Sequence, residues 1–258
     1  MSDPAQIEGL AFLLGRLPSP RIGLLLRVFA VAGRFIGQHF AGLRWSVEGA
    51  GQLPVGGGYI LACALHRSWI DAPLLVGVMP LEPRIWYIGS GPAAFRTWWS
   101  EWLLRLVGGI LPVYRGGTDV DVHVDAAQAV LDAGAIFGIF PEGSRRGDPF
   151  TPEPFRRGIG LIGLRTGAPI VPVVLAGTSE LYRGRRIVVR ILPQTTALQL
   201  AGLDAVPAPG SPGELAAARE ATAALQALMA PEIAALARAC DDPPTTARPL
   251  RWLTHLVR

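Results

Sequence analysis

Six short apolar runs constrain the fold of this chain more than any other feature. They are YILACAL (Tyr59 to Leu65), RIWYIG (Arg84 to Gly89), ILPVYR (Ile110 to Arg115), AIFGIFP (Ala135 to Pro141), PIVPVVLAG (Pro169 to Gly177) and RIVVRIL (Arg186 to Leu192). Short runs rich in Ile and Val, bounded by Gly, Pro and charged residues, read as strands. Between them stand stretches of the length a crossover helix needs, among them Thr97 to Val107 and Val120 to Asp132. The pattern predicts an α/β fold in which a mostly parallel central sheet is flanked by helices. A loop rich in Pro and Gly, VPAPGSPG from Val206, precedes a further helix predicted from about Pro212 to Ala239.

The chain ahead of the first run is of a different kind. From Ile7 to Phe40 it is apolar but broken by Arg16, Arg21, Arg27 and Arg34, and Pro18 and Pro20 divide it into two helical pieces. No stretch reaches the roughly 20 uninterrupted apolar residues of a spanning helix. In the second piece Leu24, Val28, Val31 and Phe35 recur at helical spacing with basic residues between them. That is the pattern of an amphipathic helix lying in a membrane interface, and equally of a helix packed on a core. The expected organisation is an N-terminal amphipathic segment over residues 1–42 and an α/β core over 43–205. Residues 206–258 then form a C-terminal helix and a basic tail packed on that core, the tail carrying Trp252.

Charge and cysteine usage narrow the function. All 24 basic residues are Arg, and the net charge of +4 and pI near 9.7 fit an anionic partner. Arg is planar, permanently charged and suited to bidentate phosphate contacts. The arginines are scattered, without a nucleic-acid-binding motif or an aromatic stacking surface, so no nucleic-acid partner is expected. Two cysteines, Cys63 and Cys240, have no metal spacing and are too few for a disulfide framework, which fits a reduced, intracellular setting. No metal and no bound cofactor are expected. The opening MSDPAQIE has acids where a signal peptide has a basic region, so no secretory signal is expected. Gly56 to Gly58 cannot form a Walker loop, because that loop needs a Lys. GSGPAA from Gly89 has dinucleotide-site spacing but lacks the acid about 20 residues later, and it reads as a turn.

Polar clusters just after strands mark the functional edge of such a sheet. In ALHRSWIDAPLL, His66 follows the first run and Asp71 stands five positions on. A five-residue step on a continuous helix rotates by about 500°, so these side chains meet only across a turn. The carboxylate can then bond one imidazole nitrogen, fix the tautomer and leave the other nitrogen as a general base. A capped helix start beside an incidental histidine has the same pattern. Ser68 lacks the G-x-S-x-G elbow of a nucleophile and reads as a helix cap or a substrate contact. In the second cluster, Arg115 precedes Gly116 and Gly117, which let backbone approach an anion. The third is FPEGSRRGD. Here Pro141 and Gly143 shape a turn, Glu142 can orient an arginine or accept from a substrate, and Ser144 and Arg145 can hold phosphate oxygens. Downstream, Arg156 and Arg157 precede Gly158 at the start of another helix, whose N-terminus favours anions.

In order, HRSWID, GGILPVYR, FPEGSRR and VPVVLAG resemble the four successive blocks of the glycerolipid acyltransferases, the family of lysophosphatidic acid and glycerol-3-phosphate acyltransferases. The resemblance runs from about Val47 to Ile191. It implies that His66 is the base and Asp71 orients it. It also implies that Arg115, Glu142, Gly143 and Arg145 bind the acceptor's phosphate and hydroxyls, and that Pro172 in the fourth block shapes the acyl-donor side. The chain departs from the family in Leu65, where Asn is usual before the histidine, in Leu111 and Pro112, and in FRRG, where a Lys pair is usual. All three departures lie near the acceptor side.

The implied reaction moves a fatty acyl group from an acyl-CoA or acyl carrier protein thioester to a lysophospholipid hydroxyl. Lysophosphatidic acid is the first choice of acceptor, ahead of another lysolipid or glycerol-3-phosphate. Backbone amides near the turn are the expected oxyanion donors. The expected location is the anionic cytoplasmic face of a membrane, with the protein peripheral or monotopic. A silent lipid-binding module is the rival reading; it would retain the arginines but would have no use for both His66 and Asp71.

Overall fold

The computed structural model describes residues 24–39, 42–68, 70–90, 109–113, 120–143 and 151–240. The predicted helix over 97–107, the N-terminal piece before residue 24 and the tail with Trp252 lie outside these residues, as do Arg115, Ser144 and Arg145. The described elements are helix α1 (Leu24–His39), β1 (Arg44–Glu48), β2 (Ile60–Ala64), α2 (Asp71–Val78), β3 (Ile85–Ser90) and β4 (Ile110–Val113). They continue with α3 (Val120–Asp132), β5 (Ile136–Ile139), α4 (Gly158–Thr166), β6 (Ile170–Ala176), β7 (Arg186–Ile191), α5 (Ala197–Leu200) and α6 (Pro212–Ala239).

The seven described strands form one sheet in the order β1-β7-β6-β2-β5-β3-β4. From β6 to β4 every pairing is parallel. β7 turns antiparallel on β6, and β1 closes the edge parallel to β7. The mostly parallel sheet is as the apolar runs predict. β1 is the strand they do not reveal, because RWSVE carries Arg, Ser and Glu and is only half-buried at the edge.

The pleat divides the core. Ile60, Ala62 and Ala64 face a layer containing α3, α4 and α6, while Leu61 and Cys63 face the layer with α2. α2 in turn packs against α1, with the Ala30 carbonyl in ordinary van der Waals range of Gly77. Centrally, β2 pairs with β5 on one side and β6 on the other, and β5 is reached only after the chain has passed through β3 and β4. The carboxyl ends of β2 and β5 therefore lie side by side, and the loops after them meet at one crevice.

Candidate active site

Strand β2 ends at Ala64, and α2 begins at Asp71. The Asp71 side chain turns back from the first turn of α2 into the loop between them. Its Oδ2 accepts hydrogen bonds from the backbone N–H groups of Arg67 and Ser68, each at 2.8 Å, and faces Nδ1 of His66 at 2.8 Å. Asp71 is fully buried, and the dipole of α2 favours a negative charge at this end. An ionised carboxylate only accepts, so this contact assigns the imidazole proton to Nδ1 and leaves a lone pair on Nε2. Nε2 has no hydrogen-bond partner among the described residues, and the ring keeps 19% of its surface exposed. Phe140, just after β5, stacks on the imidazole at 4.0 Å between centroids and 19° between planes. The ring is thus held both by its edge and by its face.

Glu142 is buried and faces the protein interior. Oε1 accepts from the His66 backbone N–H at 2.7 Å, and Oε2 accepts from Arg67 Nη1 at 2.6 Å and from the Glu153 N–H at 3.1 Å. Arg67, its side chain 4% exposed, also donates to the carbonyls of His66 and Thr151. Of the two roles open to Glu142 in the sequence, orienting an arginine is the one its contacts describe. The arginine is Arg67, which stands beside the histidine itself.

Three backbone amides of this turn are committed as well. His66 N–H serves Glu142, and those of Arg67 and Ser68 serve Asp71. These three are therefore not free to meet an oxyanion. Ser68 is not the helix cap either. Ile70 holds the cap position without a side-chain hydrogen bond, and the Ser68 hydroxyl is buried with no partner among the described residues. Cys63, below the loop, is fully buried, and its Sγ lies 3.7 Å from the Leu61 carbonyl. Burial, and next the charge of Asp71, push its thiol well above the usual range, so it is no thiolate nucleophile.

Gly143 has a φ of 65°, and a Cβ there would fall 2.4 Å from Nε of Arg156. The Arg156 backbone N–H bonds the Pro141 carbonyl at 2.8 Å, which returns the chain to the turn after β5. This exposed guanidinium, against Gly143, has no ion pair among the described residues. Pro172 lies inside β6 opposite Ala62, buried in the sheet below the crevice. No group of three His, Cys, Asp or Glu among the described residues is placed to hold a metal.

A family model described as acyltransferase matches residues 44–176, more than half of the chain. The chain belongs to the acyltransferase family. The matched span of this acyltransferase runs from β1 through β6 and holds His66, Asp71, Glu142, Gly143 and Arg156. The resemblance carried by the four sequence blocks is thus borne out at the level of the family. The fold is similar to that of the 1-acyl-sn-glycerophosphate (LPA) acyltransferase PlsC from Thermotoga maritima. The TM-score is 0.57 at 20% identity, over 90% of this chain and 91% of that one. Comparison with curated proteins finds no match.

Proposed function

We propose that the protein transfers a fatty acyl group from the thioester of acyl-CoA or acyl carrier protein to a lysophospholipid hydroxyl, with lysophosphatidic acid as acceptor and phosphatidic acid as product. The observation that carries this reading is the 2.8 Å contact between His66 Nδ1 and Asp71 Oδ2 at the carboxyl edge of the sheet, with Nε2 unengaged among the described residues. Nε2 takes the proton of the acceptor hydroxyl as its oxygen attacks the thioester carbonyl. The C–O bond forms, the C–S bond breaks, and the imidazolium returns the proton to the departing thiolate. No acyl-enzyme is needed, in keeping with the buried states of Ser68 and Cys63.

The acceptor's phosphate falls to arginines. Arg156 beside Gly143 joins Arg115 and Arg145, which the sequence blocks nominate. A charge-assisted hydrogen bond is worth about 1.5–3 kcal/mol, so Arg156→Gln should raise the KM for lysophosphatidic acid about 10- to 100-fold. The KM for a neutral lysolipid should stay unchanged in the same assay. Equal effects on both acceptors would remove Arg156 from the phosphate site.

Membrane contact is assigned to α1. Leu24, Val28, Val31 and Phe35 are each more than half exposed on one stripe, while Ala30, on another face of the helix, is buried. No described helix is long and apolar enough to cross a membrane, so the stripe suits an interface. The double variant Val31→Asp, Phe35→Asp should weaken binding to anionic vesicles at least about tenfold in a sedimentation assay. Turnover of a detergent-dispersed acceptor should persist.

The deciding experiment measures thiol release from long-chain acyl-CoA in lipid vesicles, with lysophosphatidic acid, glycerol-3-phosphate and a neutral lysolipid compared. Release driven by lysophosphatidic acid and lost in His66→Ala supports the assignment. Silence with every acceptor, and with an acyl carrier protein donor as well, would favour a lipid-binding module.

A further inference from the structure

Leu61, Gly138 and Tyr87 form one row across β2, β5 and β3. A Cβ on Gly138 would lie 2.5 Å from Cε1 and 2.6 Å from Cδ1 of Tyr87, so the tyrosine ring lies over β5, in space that only glycine leaves open. From there it reaches toward β2. The electrostatic neighbours of its hydroxyl are Cys63 in β2, Asp71 at the start of α2, and Tyr59 just before β2. The same ring stacks on Phe140 at 5.7 Å and 17°, and Phe140 stacks on His66. Tyr87 is therefore linked to His66 through Phe140 and lies in electrostatic range of Asp71.

Besides the Ser68 hydroxyl, the buried polar atoms around this pair without a hydrogen-bond partner among the described residues include the Tyr87 hydroxyl and Oδ1 of Asp71, the carboxylate oxygen that does not serve the His66 loop. Each is costly alone, and they are complementary, one a donor and the other an anionic acceptor. Burial first, then its acidic neighbours Cys63, Asp71 and Tyr59, raise the phenol well above its ordinary value, so it keeps its proton. Resting on the acyl-transfer reading above, we propose that Tyr87 is a positioning residue for that reaction: its hydroxyl donates to Asp71 Oδ1 through one ordered water, while its ring backs Phe140 against His66. The second hydrogen bond stops the carboxylate from rotating and keeps Oδ2 aimed at Nδ1.

Tyr87→Phe retains the ring and removes only the hydroxyl. It should lower kcat about 3- to 10-fold with the acceptor KM unchanged, and lower the melting midpoint by about 2–4 °C. In an Asp71→Asn background the same change should move the midpoint by less than about 1 °C, because the charged acceptor is already gone. A hydroxyl without a partner gives the opposite sign, since removing it relieves a desolvation cost. A raised or unchanged midpoint, an equal loss in the Asp71→Asn background, or an unchanged kcat would each overturn the proposal. An inactive wild-type protein would overturn the acyl-transfer reading and the tyrosine's part in it. The stability cycle would still decide whether the hydroxyl contacts Asp71.

Discussion

Replacing His66 with alanine is expected to reduce acyl transfer by at least about 10³-fold and to leave the fold intact, since a positioned general base contributes about 10²–10⁴ and no other described side chain is placed to take over. The ring stands at the loop tip, partly exposed, and its contacts are one hydrogen bond and one stacked face. Its loss therefore opens no large cavity. Asp71→Asn should fall nearly as far for a different reason. The amide oxygen can still accept from the Arg67 and Ser68 N–H groups, so the loop keeps its shape. The negative charge that selects the Nδ1–H tautomer and stabilises the imidazolium is lost, however. Steady-state thiol release at saturating donor, together with circular dichroism and thermal melts of both variants, tests this. Turnover of His66→Ala near the wild-type rate would sink the mechanism.

The parts of this arrangement differ in how plainly the sequence announces them. Central strands are legible because burial on both faces demands continuous Ile and Val, as in IVPVVLA of β6. β1 is not, because an edge strand is free to carry charge. Nor does any composition encode the reversal of β7 against β6. The spacing of His66 and Asp71 allows their contact once a turn is assumed, but it fits a capped helix start equally well, and the structure decides between them. Arg67 and Glu142 are 75 positions apart, and only the strand order brings them together. Arg156 is adjacent to Gly143 because a backbone hydrogen bond to Pro141 folds the chain back, a contact without a sequence pattern of its own. Tyr87 did leave a trace. The glycine inside AIFGIFP marks a close approach within a strand, and the approaching group is its ring.

Glu142→Gln is the second change with a large expected effect, and it separates two roles for this carboxylate. The glutamate joins the loop after β2, the turn after β5 and the segment at Thr151 to Glu153, through Arg67 and the N–H groups of His66 and Glu153. Neutralising it takes away the carboxylate that faces the buried Arg67 guanidinium, a loss of about 3–5 kcal/mol for a broken buried pair. At about 2–4 °C per kcal/mol the melting midpoint should fall by roughly 6–20 °C. Transfer should fall too, because the His66 backbone loses its anchor. Arg67→Met in the same chain removes that guanidinium, so the double variant should regain most of the lost stability, with a coupling of at least about 1.5 kcal/mol in the mutant cycle. A glutamate that instead bound the acceptor would behave otherwise. Glu142→Gln would then melt like the wild type and raise the acceptor KM, and Arg67→Met would rescue nothing. The burial of both side chains favours the first outcome, because an acceptor hydroxyl would have to displace hydrogen bonds that already satisfy this carboxylate.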